Sequence, residues 1–214
     1  MITTQKLVDF LKESQANTSL VNKLKMVYRP YICPFDDLLK LVSPTDYIMD
    51  IGCGSGQFLS LIAEFIKPQS LYGIEISQEL INNAQQLLGK YKKNISISLN
   101  LYNGREFPGS VKNCNVIFLN DVFHHVPRKQ QFSFLKEIHN KINPGTKLII
   151  KDIDKSNWLV LCNKMHDLIL SQKISHEVRF KDLQQMLNSI GFNIIFENKR
   201  RMLWYPHFTI IAKK

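Results

Sequence analysis

Three glycines at alternate positions stand behind an acid in Asp50-Ile51-Gly52-Cys53-Gly54-Ser55-Gly56. Glycine lets a ligand come close to the main chain, and a turn of this kind at a helix start presents amide N–H groups to it. The chemistry that follows is recognition of a nucleotide-type ligand. The third glycine narrows the choice. A dinucleotide fingerprint needs glycine at 52, 54 and 57, but residue 57 is Gln, which disfavours NAD and FAD. A phosphate-cradling GxxxxGK(S/T) loop is absent too, because Gln57-Phe58 stand where it needs Gly-Lys.

A second set of residues has acid–base chemistry. His124 and His125 follow one apolar run and Asp152 follows another. Histidine titrates nearest neutral pH and suits removal of a hydroxyl proton. In open α/β sheets ligands bind beyond the carboxyl ends of the strands, where these three residues fall. His166, in the pair His166-Asp167, is a further candidate for lining a pocket. Asp152 could orient the acceptor or the base. Plainer readings stand beside these: His125 as a loop residue, Asp152 and Asp154 as caps of the next helix, and His166-Asp167 as a solvated pair.

These residues must be positioned by an alternation of short apolar runs and helical patterns, the mark of a parallel sheet with crossover helices. Strands are expected at 46–51, 71–76, 95–101, 115–119 and 147–150, with a closing pair at 192–196 and 208–212. Helical spacing appears in Phe58, Leu59, Ile62, Phe65 and Ile66, after Ser77, and from Gln131 to Ile142, where Asn143-Pro144-Gly145 stops it. The expected fold is therefore α/β: a Rossmann-like, doubly wound, mostly parallel sheet of about seven strands with an antiparallel terminal strand. Residues 1–44 read as a helical N-terminal lid, and 45–214 as the main domain with a helical insert at about 155–178. Tyr28, Tyr31, Ile32, Phe35 and Trp158 make both helical segments apolar enough to close a pocket, or simply to pack on the sheet.

Composition agrees with one folded domain or a tight pair: 214 residues, 44% hydrophobic and 21% charged. The net charge of +10 favours anionic partners, but the positives are dispersed rather than gathered into a nucleic-acid groove. Cys33, Cys53, Cys114 and Cys162 form no CxxC pair or Cys/His ligand spacing. Neither a disulfide framework nor a metal site is expected, and a reducing, cytoplasmic location fits. No run is long enough for a membrane span, and Asp9 interrupts what would be a signal's apolar stretch.

The sequence resembles the class I S-adenosylmethionine-dependent methyltransferases. Their first motif, D/E-x-G-x-G-x-G after the first strand, is matched by Asp50 to Gly56, and Glu75 falls where the family has an acid at the end of the second strand. The segment Val116 to Val126 resembles the fourth motif, and Leu135-Lys136-Glu137-Ile138 through Asn143-Pro144-Gly145 the approach to the fifth strand, so the resemblance covers roughly 45–152. It implies S-adenosylmethionine as cofactor, with Asp50, Gly52, Cys53, Gly54, Gly56 and Phe58 around the glycine turn. Glu75 would hold the ribose hydroxyls, with Ile76 beside it; Asn103-Gly104, where the family often has an acid, would stand near the adenine amine; and Asn120 would close the set.

The expected activity is methyl transfer to a small, partly apolar acceptor, a hydroxyl oxygen of a lipid, quinone or secondary metabolite, with His124, His125, Asp152 and His166 as candidate acceptor-side residues. Two other readings stay open: an RNA or protein methyltransferase using the basic surface, and a methyltransferase-fold protein that binds without turnover. Against nucleic acid stands Asn120-Asp121-Val122-Phe123, where amine-methylating nucleic-acid enzymes carry N/D-P-P-Y/F. Against a silent fold stand the intact glycines and Glu75.

Overall fold

The computed structural model describes residues 2–14, 24, 26–154 and 176–214. Seven strands, the number the apolar alternation predicts, form one sheet in the order β3-β2-β1-β4-β5-β7-β6. The chain divides into two compact units, 1–116 and 117–214.

The first unit holds α1 (Thr4–Glu13), α2 (Phe35–Leu39), β1 (Tyr47–Ile51), α3 (Gln57–Phe65), β2 (Ser70–Glu75), α4 (Gln78–Leu88) and β3 (Ser96–Leu101). Strand β2 pairs in parallel with β1 and with β3. Helix α3 is buried almost all round, from Gln57 to Ala63, which explains its nearly unbroken apolar sequence. The Ser77 hydroxyl caps α4 by accepting from the Leu80 amide, as the sequence leads one to expect.

Residues ahead of β1 belong to this unit's core. Leu7, Val8 and Leu11 of α1 are buried, Phe10 meets the edge of Phe65, and Phe35 stacks on Phe58 with ring centroids 5.3 Å apart. Tyr28 and Tyr31 remain exposed and stack on each other.

The second unit contains most of β4 (Val116–Asn120), α5 (Gln131–Lys141), β5 (Lys147–Ile153), α6 (Phe180–Ile190), β6 (Asn193–Met202) and β7 (Tyr205–Lys213). Strand β7 is antiparallel to both β5 and β6. Helix α6 ends at Gly191, whose φ of 105° is the left-handed C-terminal geometry that glycine favours.

Two expectations need correction. The closing strands are longer than the apolar runs suggest, and only Leu203-Trp204 separates them. The insert read as helical to residue 178 is irregular at 176–179. Its remainder, with Trp158 and His166, lies outside the described residues. Among the described residues no helix is long and apolar enough to cross a membrane.

Candidate active site

The glycine turn joins β1 to α3. Gly52, Gly54 and Gly56 all have positive φ, of 75°, 54° and 78°, so the alternation in sequence is a repeated backbone requirement. The glycines serve different ends. A Cβ on Gly56 would sit 2.9 Å from Ala84 Cβ of α4, so this glycine allows two helices to approach. A Cβ on Gly54 would meet nothing within 4 Å, so its bare backbone borders open space.

The turn's amides are engaged more than the sequence suggests. Gly52 and Cys53 N–H donate to the Ile74 carbonyl at 2.7 and 3.0 Å, and Gly56 N–H to that of Cys53 at 3.0 Å. Gly54 N–H donates to Glu75 Oε2 at 3.1 Å. The turn therefore contributes room and shape before it contributes donors.

Glu75, at the end of β2, is held by backbone. Its Oε1 accepts from the Ile76 and Ser77 amides at 2.8 and 3.2 Å, while Oε2 takes the Gly54 amide. A carboxylate has about four lone-pair sites, so this fixed group keeps capacity for a hydroxyl donor. Beside it Ile76 is 59% exposed, an apolar surface next to a polar anchor.

Asp50 is buried beneath the turn, and its Oδ1 makes no hydrogen bond. Burial raises its pKa to about 8; the Arg29 charge works against the rise and the Glu75 charge adds to it. Burial, with the charges of Asp50 and Glu75, also pushes the neighbouring Cys53 thiol well up, so it stays a thiol. Phe58 is buried against Phe35, and Arg29 lies over the other ring of that pair, 5.7 Å from the Phe35 centroid. Sequence reasoning missed Arg29, because nothing in its local pattern ties it to the glycine turn.

Asn103 Oδ1 accepts from the Arg105 and Glu106 amides at 2.8 and 2.9 Å, which shapes the loop it stands on. Gly104 follows with φ of 76°, completing that loop.

In the second unit, three candidates from two stretches of sequence come together. His124 Nδ1 lies 2.6 Å from Asp152 Oδ1, and the His124 amide donates to Oδ2 at 3.0 Å. Asp152 Oδ1 also accepts its neighbour Ile153's amide at 2.8 Å. The His124 and Ile153 amides already donate to this carboxylate, so it meets the ring as an acceptor and favours a proton on Nδ1. Both side chains are buried. The exposed ring of His125 lies 4.1 Å from that of His124, centroid to centroid.

The loop carrying His124 is pinned from other sides. Lys151 is 0% exposed, and its ammonium donates to both carboxylate oxygens of Asp121 at 2.6 and 2.7 Å. Asp121 N–H in turn donates to the Lys151 carbonyl at 2.9 Å. This double tie holds Asp121 at φ of 56°, a left-handed conformation unusual for a non-glycine residue. The His176 amide donates to the His124 carbonyl, and the Gln131 side chain donates to the carbonyls of Val126 and His176. A lysine inside Leu148-Ile149-Ile150-Lys151-Asp152-Ile153 was the sequence signal for this pair, since an unpaired charge in such a strand is costly. Asn120, at the end of β4, is buried.

With the geometry established, the chain can be placed among known proteins. It belongs to the methyltransferase domain family, whose model matches residues 27–197. It is similar to the carboxy-S-adenosyl-L-methionine synthase of Trichodesmium erythraeum, 28% identical over 120 residues that cover 53% of this chain and 45% of that one. An uncharacterised methyltransferase of Schizosaccharomyces pombe is 26% identical over 144 residues, 64% of this chain and 50% of that one. The chain thus spans about half the length of the curated relatives it matches. The magnesium protoporphyrin IX methyltransferase of Synechocystis, solved with bound S-adenosylhomocysteine, shares its fold at a TM-score of 0.71 and 15% identity, covering 99% of this chain and 95% of that one. The class I fold and family carry S-adenosylmethionine as their cofactor. The first unit fits that group: open space at Gly54, a buried Asp50 oxygen without a partner, and a carboxylate fixed at the end of β2.

Proposed function

We propose that the protein transfers the methyl group of S-adenosylmethionine to a hydroxyl oxygen of a small, partly apolar acceptor, of the lipid, quinone or secondary-metabolite kind. The observation that carries this reading is the buried His124–Asp152 pair, a base with its orienting carboxylate.

In this account Asp50, Gly52, Gly54 and Gly56 form the wall of the cofactor site, with Cys53 and Phe58 packed behind. Glu75 accepts the ribose hydroxyls, Ile76 offers an apolar face to the base, and Gly104 borders the group. Arg29 joins the set as a cation able to meet a carboxylate. The cofactor supplies an activated methyl on a sulfonium, so the remaining need is an acceptor held in line and relieved of its proton.

His124 Nε2 accepts that hydroxyl proton, and Asp152 stabilises the resulting imidazolium through the 2.6 Å contact. The loop tied by Lys151 and Asp121 holds the ring in position. His125 is assigned to lining the acceptor.

The test is transfer of isotope-labelled methyl from S-adenosylmethionine to a panel of hydroxylated lipids and aromatics, with RNA and a protein extract in parallel. Labelling of the hydroxylated small molecules, lost in His124→Ala, supports the reading. Labelling of RNA or protein alone would replace it.

A further inference from the structure

The hairpin of β6 and β7 turns on two residues, Leu203 and Trp204, between the paired Met202 and Tyr205. A two-residue hairpin favours Asn-Gly or a leading glycine, because its first position takes a positive φ. Here Leu203 occupies that position at φ of 54°. A bulky residue in this conformation is strained, and both turn side chains also face water, Leu203 at 58% and Trp204 at 47% exposure. Folding alone would select neither residue, since strain and exposure both oppose it.

The surroundings indicate what the tip meets. From Asn198 to Tyr205, the stretch around the turn, the hairpin has Lys199, Arg200 and Arg201 and no acidic residue. Arg201 Nε donates to the Leu203 carbonyl at 2.9 Å, so a guanidinium is fixed beside the apolar tip. Lys199 reaches Asp154 at 2.9 Å, and Arg200 and Arg201 are the cations nearest the turn in the sequence. Tryptophan and leucine flanked by arginines match a bilayer interface, where the indole sits at headgroup level and the cations meet anionic lipid.

A second copy of the chain fits less well. Strand β6 is the sheet edge, but its Lys199-Arg200-Arg201 run and the register shift between Ile194 and Phe196 oppose edge-to-edge pairing.

We infer that the Leu203-Trp204 turn, with Arg200 and Arg201, is a docking tip for the surface of an anionic membrane. The inference stands apart from the methyl-transfer reading, because it uses none of the residues assigned to cofactor or acceptor.

The full chain is mixed with vesicles of phosphatidylcholine, or of equimolar phosphatidylcholine and phosphatidylglycerol, and sedimented at low and high salt. Wild type should sediment with the anionic vesicles only, and less so at high salt. Replacing the tip by Leu203→Asn with Trp204→Gly installs the favoured turn, so folding is kept while binding to anionic vesicles falls roughly tenfold or more. In a Trp158→Phe background, the emission of Trp204 should shift to the blue on binding. Equal sedimentation with both vesicle types, or undiminished binding by the Asn-Gly variant, would overturn the inference. So would binding of a single-stranded RNA, sensitive to the same two substitutions, without binding to vesicles. S-adenosylmethionine affinity, measured alongside, should be unchanged in the variant, which separates failure here from failure of the cofactor site.

Discussion

Asp152 binds His124 twice, through the ring at Oδ1 (2.6 Å) and through the backbone amide at Oδ2 (3.0 Å). The two contacts do different work: one sets the tautomer of the imidazole, the other sets where the loop places it. Asp152→Asn preserves the shape but ends the acceptor-only character of the group, permitting the wrong tautomer. Turnover should fall by about a hundredfold or more, the usual scale of general base catalysis, with cofactor affinity unchanged. Steady-state kinetics and calorimetry on the same preparation check both halves. Turnover equal to wild type would leave the pair a purely structural role.

The glycine turn gives a paired prediction. Gly54→Val places a side chain in the open space and should abolish S-adenosylmethionine binding. Gly56→Ala instead meets Ala84 and should lower the melting temperature first. Positive φ strains both variants, by about 1 kcal/mol. Thermal melts set beside binding titrations separate the two effects.

Glu75→Ala removes an anchor and leaves the Gly54, Ile76 and Ser77 amides without their shared acceptor. Cofactor affinity should weaken by about 1.5–3 kcal/mol, the value of hydrogen bonds to a charged group. Titration calorimetry reads the change directly, and undiminished affinity would remove Glu75 from the site.

Asp50 makes stability depend on pH. Burial raises its folded pKa to about 8, well above the ordinary 3.8, so the folded state holds a proton that the unfolded state releases. Its contribution to stability is therefore fully present below about pH 4 and is lost as pH rises through about 8. Asp50→Asn should flatten the decline in melting temperature between pH 5 and pH 9 in the cofactor-free protein. A decline of unchanged steepness would mean that Asp50 is ionised throughout.

Lys151→Met leaves the Asp121 carboxylate without its cation and should destabilise the protein by about 3 kcal/mol. Denaturant unfolding measures it, and the double variant Lys151→Met/Asp121→Asn should recover part of the loss.

Much of this was legible in the sequence because it was local. Asp50 to Gly56 is one contiguous turn, Glu75 closes the next strand, and the strand–helix alternation follows from periodicity alone. What was hidden depends on distance along the chain. Arg29 is remote from Asp50 in the sequence, and its charge acts on that carboxyl only once the chain has folded, while Asn103 spends its oxygen on its own loop. The individual residues His124 and Asp152 were visible, but their hydrogen bond requires β4 and β5 to be in place. The extent of the β6–β7 hairpin is hidden for another reason: Leu203-Trp204 gives no turn signal and the run from Glu197 to Arg201 is polar, so the apolar runs alone mark only 192–196 and 208–212.

The central claim is that the glycine turn and Glu75 bind S-adenosylmethionine. Calorimetric titration of the purified protein with S-adenosylmethionine, S-adenosylhomocysteine and NAD tests it most directly. The account predicts saturable binding of the first two and none of NAD, with Gly54→Val silent to all three. Binding of NAD, or no binding of either sulfur nucleoside, would contradict it.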